Sequence, residues 1–157
     1  MRHATVFLCI LLSAAMYGCA SLILSPVDYS WPVESVLKPD ERGKVEEARY
    51  SMTFNVKPLL FAETGDSVHV GDIAFRMIRD MSGYYFVTAP KFKNVYVFKT
   101  DEGQLKLDSK ILISENGIPA PAFNQRPPYI ELLNGKEKSI LLNRSGMQQA
   151  VPQGGQK

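Results

Sequence analysis

The chain has 157 residues, with 18 Lys and Arg against 16 Asp and Glu for a formal charge of +2. Acidic and basic residues alternate along it, which excludes the basic stripe that a nucleic-acid binder requires. Both cysteines, Cys9 and Cys19, fall near the N-terminus, so the remainder has no disulfide, no thiol chemistry and no cysteine-held metal.

The N-terminal segment comes first. Arg2, His3 and the free amine form a short positive region, and Val6 to Met16 is an uncharged apolar run of secretory-signal length. No acid precedes Asp28, so nothing opposes a positive-inside orientation. Met16-Tyr17-Gly18-Cys19 closes the run. A cysteine after a small residue, just past a hydrophobic stretch, resembles the lipobox of bacterial lipoproteins. Met16 stands where that family favours leucine, and Tyr17 where it favours a small residue. The resemblance implies cleavage before Cys19, diacylation of its thiol and acylation of the new amine. Ala20 in the next position implies sorting to the outer membrane, with the domain facing the periplasm. Two alternatives stay open. Ala4 to Leu24 is long enough to span a hydrocarbon core as an inner-membrane signal anchor. Gly18-Cys19-Ala20 also suits ordinary signal-peptidase cleavage, with a mature start at Ser21.

Residues 19–44 read as a tether behind the lipidated cysteine, because Pro26, Pro32 and Pro39 interrupt a polar stretch with little periodicity. Trp31, within it, is expected to pack on its own domain. A β domain follows over 45–146 and a flexible tail over 147–157. The domain opens with period-two alternation: Ala48, Tyr50, Met52, Phe54 and Val56 on a buried face, Arg49, Ser51, Thr53 and Asn55 on a wet one. Pro58 ends or breaks that strand. Ile73, Phe75 and Met77 continue the pattern, and Met81-Ser82-Gly83 turns the chain into Tyr84 to Val87. Val95 to Phe98 is apolar on both faces, the mark of a central strand. Asp101-Glu102-Gly103 is a hairpin turn, with glycine free to take a positive φ. Leu105, Leu107, Ile111 and Ile113 then share one face with Ser109.

Asn134-Gly135 is the favoured pair for a two-residue type I′ hairpin, and would set Glu131 opposite Lys138. No helix of normal length is visible. These elements predict an all-β, antiparallel β-sandwich, or a small open barrel, of about seven strands.

The chemistry is sparse. His69 lies near Asp66, Ser67 and Asp72, residue types that serve a hydrolase triad or a one-histidine metal site. On a strand, Ser67 and His69 would stand about 7 Å apart, too far for proton transfer, so a solvated polar segment is the expectation. Glu46-Glu47 and Asp101-Glu102 read as solvated pairs at strand ends. The expectation is therefore no catalytic residue, no metal and no cofactor. Asn143-Arg144-Ser145 matches a glycosylation sequon, idle in a bacterium. Two features suit binding of a glycan or peptide. Tyr84, Tyr85 and Tyr96 offer a stacking platform, and Arg126 sits in the proline-rich connection 114–128. The functional expectation is a lipid-anchored, non-enzymatic envelope protein with a membrane contact through Cys19 and an envelope-protein or glycan partner. No nucleic-acid partner is expected.

Overall fold

Antiparallel strands make up about half of the residues described in the computed structural model, which are 34–66, 68, 70 and 73–148. Five strands form one sheet in the order β1 (Ser35–Leu37), β4 (Phe75–Arg79), β5 (Tyr85–Thr88), β6 (Asn94–Asp101) and β7 (Gln104–Leu112). A second sheet runs β11 (Gly146–Gln148), β10 (Ile140–Asn143), β9 (Tyr129–Asn134) and β8 (Pro121–Arg126). A separate hairpin pairs β2 (Lys44–Glu47) with β3 (Met52–Asn55), and one helix, α1 (Lys57–Thr64), follows it. The fold is an all-β sandwich without a closed barrel. It carries eleven strands among the described residues, more than the seven expected, because several have only three or four residues.

The five-stranded sheet is buried on both faces. On one side Ile78, Phe86, Val95, Val97 and Ile111 meet Phe123, Ile130, Leu132 and Leu142 of the four-stranded sheet. On the other, Phe75, Met77, Tyr85, Val87 and Tyr96 meet Val45 of the hairpin and Leu59 and Leu60 of α1. Strand β5 is accordingly buried at every position. Strand β6, flanked by β5 and β7, is an interior strand of the sheet, as its continuous apolar run predicts.

Several local expectations change. The alternation from Ala48 to Val56 is not one strand: a 3-10 turn (Ala48–Tyr50) interrupts it, and Ser51 takes φ 51° to reverse the chain. The Glu47 carboxylate holds that turn by accepting bonds from the Arg49 backbone N–H at 3.2 Å and Nε at 2.9 Å. Pro58 does not end a strand but opens α1, where proline's missing N–H costs nothing, and Gly65 closes the helix at φ 75°. A register shift in the β6–β7 ladder between Val97 and Phe98 moves the faces of β7. Leu105 therefore packs beside the α1 core, and Ile111 and Ile113 in the core between the sheets.

The stretch 19–44 is not tether throughout: β1 pairs with β4 inside it, and Glu34 bridges Arg76 at 3.1 Å and the Phe123 N–H at 2.8 Å. Connection 114–128 is likewise not a loop, since β8 occupies Pro121–Arg126. A cis Pro127-Pro128 turn leads directly into β9. Asn134-Gly135 does not make a type I′ hairpin. Glu131 pairs with Leu141 rather than Lys138, and Gly135 alone has a positive φ, at 58°. Asn134 is instead buried, with its Oδ1 accepting the Ala120 N–H at 3.1 Å. The turn at Glu102 and Gly103 is the two-residue one, with φ 49° and 78° between the paired Asp101 and Gln104.

Candidate functional site

The residues expected to bind a ligand do not form one surface, and Tyr85 alone of them lines the cleft beside the β2–β3 hairpin. Tyr85 and Tyr96 are buried, at 4% and 3% exposure, as core members beside α1. Tyr84 is half-buried and belongs to the opposite face, where the Arg144 guanidinium lies 5.3 Å above its ring. Arg126 is exposed but bound to Glu131 at 3.1 Å. Aromatic residues in a double-covered sheet alternate between two cores, which is why a sequence cluster gives no platform. Glu47, expected to be solvated, is 5% exposed and ion-paired with Arg49. Cys19, Trp31, Ser67, His69, Asp72 and residues 149–157 lie outside the described residues. Asp66 is described, and its Oδ1 accepts the Val68 N–H at 2.7 Å.

The concave feature lies elsewhere. A cleft of about 640 Å³ separates the β2–β3 hairpin from the β6–β7 end of the five-stranded sheet. One wall is the unbroken run Tyr50 to Phe54, the other Thr100 and Gly103 to Leu105, with Tyr85 between them. Past Phe54 and Leu105, an apolar hollow of about 190 Å³ continues between Leu59, Val87 and Phe98. The cleft is thus polar and aromatic at its Tyr50 end and hydrophobic at its Phe54 end.

Two rings line the first end, and two cations stack on them. Tyr50 and Tyr85 meet edge to face, with centroids 5.4 Å apart. Arg79, register partner of Tyr85 on β4, lies 5.8 Å over the Tyr50 ring and 5.6 Å over that of Tyr85. Arg49 covers Tyr50 at 5.6 Å but is committed to Glu47 and the Ser35 hydroxyl. Arg79 has no carboxylate partner among the described residues, so stacking is what holds its exposed guanidinium. Burial raises the Tyr50 hydroxyl above the ordinary phenol range against the pull of Arg49 and Arg79, so the ring stays neutral.

Proline-poor, alternating sequence in β3 and β7 makes both walls, but neither wall is marked in the sequence as a site. The pairing is long-range, since about fifty residues separate Thr53 from Leu105. The arrangement can hold an extended, partly apolar ligand, with an unpaired cation at one end. No family model matches the chain, and no curated protein or solved structure matches it either, so the cleft is the feature from which its binding chemistry is read.

Proposed function

We propose that this chain is a bacterial envelope lipoprotein, held by acyl chains on Cys19, whose β-sandwich binds a partner and catalyses nothing. Cys19 itself carries the reading: it stands directly after Gly18 at the close of the uncharged run Val6 to Met16. Each buried methylene of an acyl chain adds about 0.8 kcal/mol of membrane attachment, so two or three chains anchor a protein lastingly. The fifteen or so residues from Cys19 to Glu34 reach at most about 50 Å, which keeps the sandwich near the lipid surface. Ala20 after the cysteine favours the outer membrane and a periplasm-facing domain. The open cleft supports the binding half of the reading.

Intact mass and acyl labelling test the anchor. The wild type should have the mass of residues 19–157 plus a diacylglycerol group, with or without a third chain. Cys19→Ser should lose all label and persist as the uncleaved precursor, still folded, because both described cores are built from Leu37 onward. A full-length unlabelled protein would establish a signal anchor instead. A mature start at Ser21 would establish ordinary secretion.

A further inference from the structure

The cleft is a gap between two free strand edges. Among the described residues, strand β3 pairs only with β2, and β7 only with β6. The register shows where their backbone groups point. Val56 N–H donates to the Gly43 carbonyl at 2.9 Å, so by antiparallel alternation the amides of Phe54 and Met52 face β2 while that of Thr53 faces away. In β7, the two-residue turn makes Asp101 and Gln104 a bonded pair, which leaves the Leu105 amide and carbonyl on the outer side. Thr53 and Leu105 line the cleft from opposite walls. Residues of both phases line each wall, as expected when a strand presents its edge and not a face.

We infer that the cleft binds an extended segment of a partner protein by strand addition, with an acidic side chain of that segment on Arg79 and an apolar one in the hollow beside Phe98. Strand rise, strand spacing and sheet thickness give about 160 Å³ per residue of added strand, so 640 Å³ holds about four residues. Main-chain bonds to two edges supply affinity and the two ends supply specificity. Arg79 has no carboxylate partner among the described residues, and it is stacked on the two rings that wall the cleft. A hydrophobic pocket at the far end and a cation at the near end set the direction in which the segment lies. The inference rests on the binding reading above, and is independent of how the chain is anchored.

The test is a displayed library of random linear peptides selected against the full-length protein in detergent. Enriched sequences should alternate apolar and polar residues and carry Asp or Glu at one end. N-methylation of alternate amides in a synthetic binder should weaken it about five- to tenfold for each backbone bond lost. Thr53→Pro removes the donor that faces the cleft and spares the ladder to β2, and should weaken the binder by a similar factor. Arg79→Gln should remove the preference for the acid while keeping the alternating pattern. Circular dichroism checks that both variants stay folded, and the N-methylated peptide tests the same bonds without touching the protein.

A library with no binder, or binders indifferent to N-methylation, would overturn strand addition. Concentration-dependent dimers that Thr53→Pro dissolves would replace the partner with a second copy of this chain. Acylation lost with peptide binding intact would break the anchor alone, and binding lost with acylation intact would break this inference alone.

Discussion

Glu63, in the last turn of α1, accepts a hydrogen bond from the Tyr96 hydroxyl of β6 at 2.8 Å. The same carboxylate accepts from the Lys93 N–H at 2.7 Å and the Asn94 Nδ2 at 2.6 Å. One side chain therefore pins the helix to the start of β6 and satisfies three donors. Glu63→Ala should cost about 2–3 kcal/mol, because it leaves those donors unpaired, and Tyr96→Phe about 1.5 kcal/mol. Urea melts of both variants and of the double variant check this. The double variant should cost less than the sum, since each change removes the same bond.

The same bond shapes the alkaline limb of stability. Burial first, and then the bond to Glu63, raises the Tyr96 phenol well above its ordinary value. A raised folded value means that the native state holds the proton more tightly. This stabilisation is complete below the unfolded value of about 10 and is lost as pH climbs from there. Tyr96→Phe should flatten the alkaline fall, with Tyr50, also raised by burial, keeping part of it. An unchanged alkaline slope in that variant would place the titrating group elsewhere.

On the acid side the sign reverses. The Ser139 hydroxyl, at 2.7 Å, and then Arg126 hold the Glu131 carboxyl below the usual range, against the upward push of burial. In Glu47, burial pushes up but bonding to Ser35 and Arg49 outweighs it, so that group is lowered too. Both contribute stability that is present above about pH 4.3 and lost as pH falls below it. Glu131→Gln should therefore cost stability at neutral pH and shrink the acid-induced loss, read from melts at stepped pH.

Two glycines with positive φ separate strain from crowding. At Gly103, φ 78°, an added Cβ meets nothing within 4 Å, so Gly103→Ala should cost about 1–2 kcal/mol of backbone strain. At Gly117, φ 83°, the Cβ would stand 2.6 Å from the Lys91 carbonyl oxygen. That contact must break, and with it the bonds that tie Lys91 and Phe92 to Ile118 at 2.8 Å. Gly117→Ala should thus cost at least about 3 kcal/mol, a large loss with a named cause. Equal costs in chemical denaturation would show that the Lys91 segment yields freely.

Phe92 and Phe61 make a contrast of burial at constant chemistry. Phe92 is 1% exposed and meets Phe75 and Tyr96 edge to face, with centroids at 5.6 and 6.3 Å. Phe61, on the outer side of α1, is 62% exposed. Phe92→Ala should cost about 3–5 kcal/mol and Phe61→Ala under about 1 kcal/mol, measured in the same urea series. The half-buried Phe54, on a cleft wall, belongs between them.

Short-range chemistry in the sequence determined the class of fold and much of its grammar. Period-two alternation specifies strands, continuous apolarity marks β6 as interior to the sheet, and the glycine after Glu102 supplies the reversal between β6 and β7. The signals for α1 were also present: Pro58 at the first turn and Gly65 past the end have a helical reading as natural as a strand-breaking one.

Tertiary structure alone decided the rest. Asn134 could nucleate a tight turn by its local preference, but burial against Ala120 gives its side chain better-satisfied bonds and sets a longer loop. The bulge opposite Val97 and Phe98 sends Leu105 and Ile111 to different cores, and no local pattern marks where one extra residue enters a ladder. The cleft is the clearest case. Its walls, around Thr53 and Leu105, face each other only because the hairpin and the sheet edge are carried together by packing around Val45, Phe75 and Tyr85. Alternation encodes which side of a strand is dry; which free edges end up opposite each other is a property of the whole packed chain.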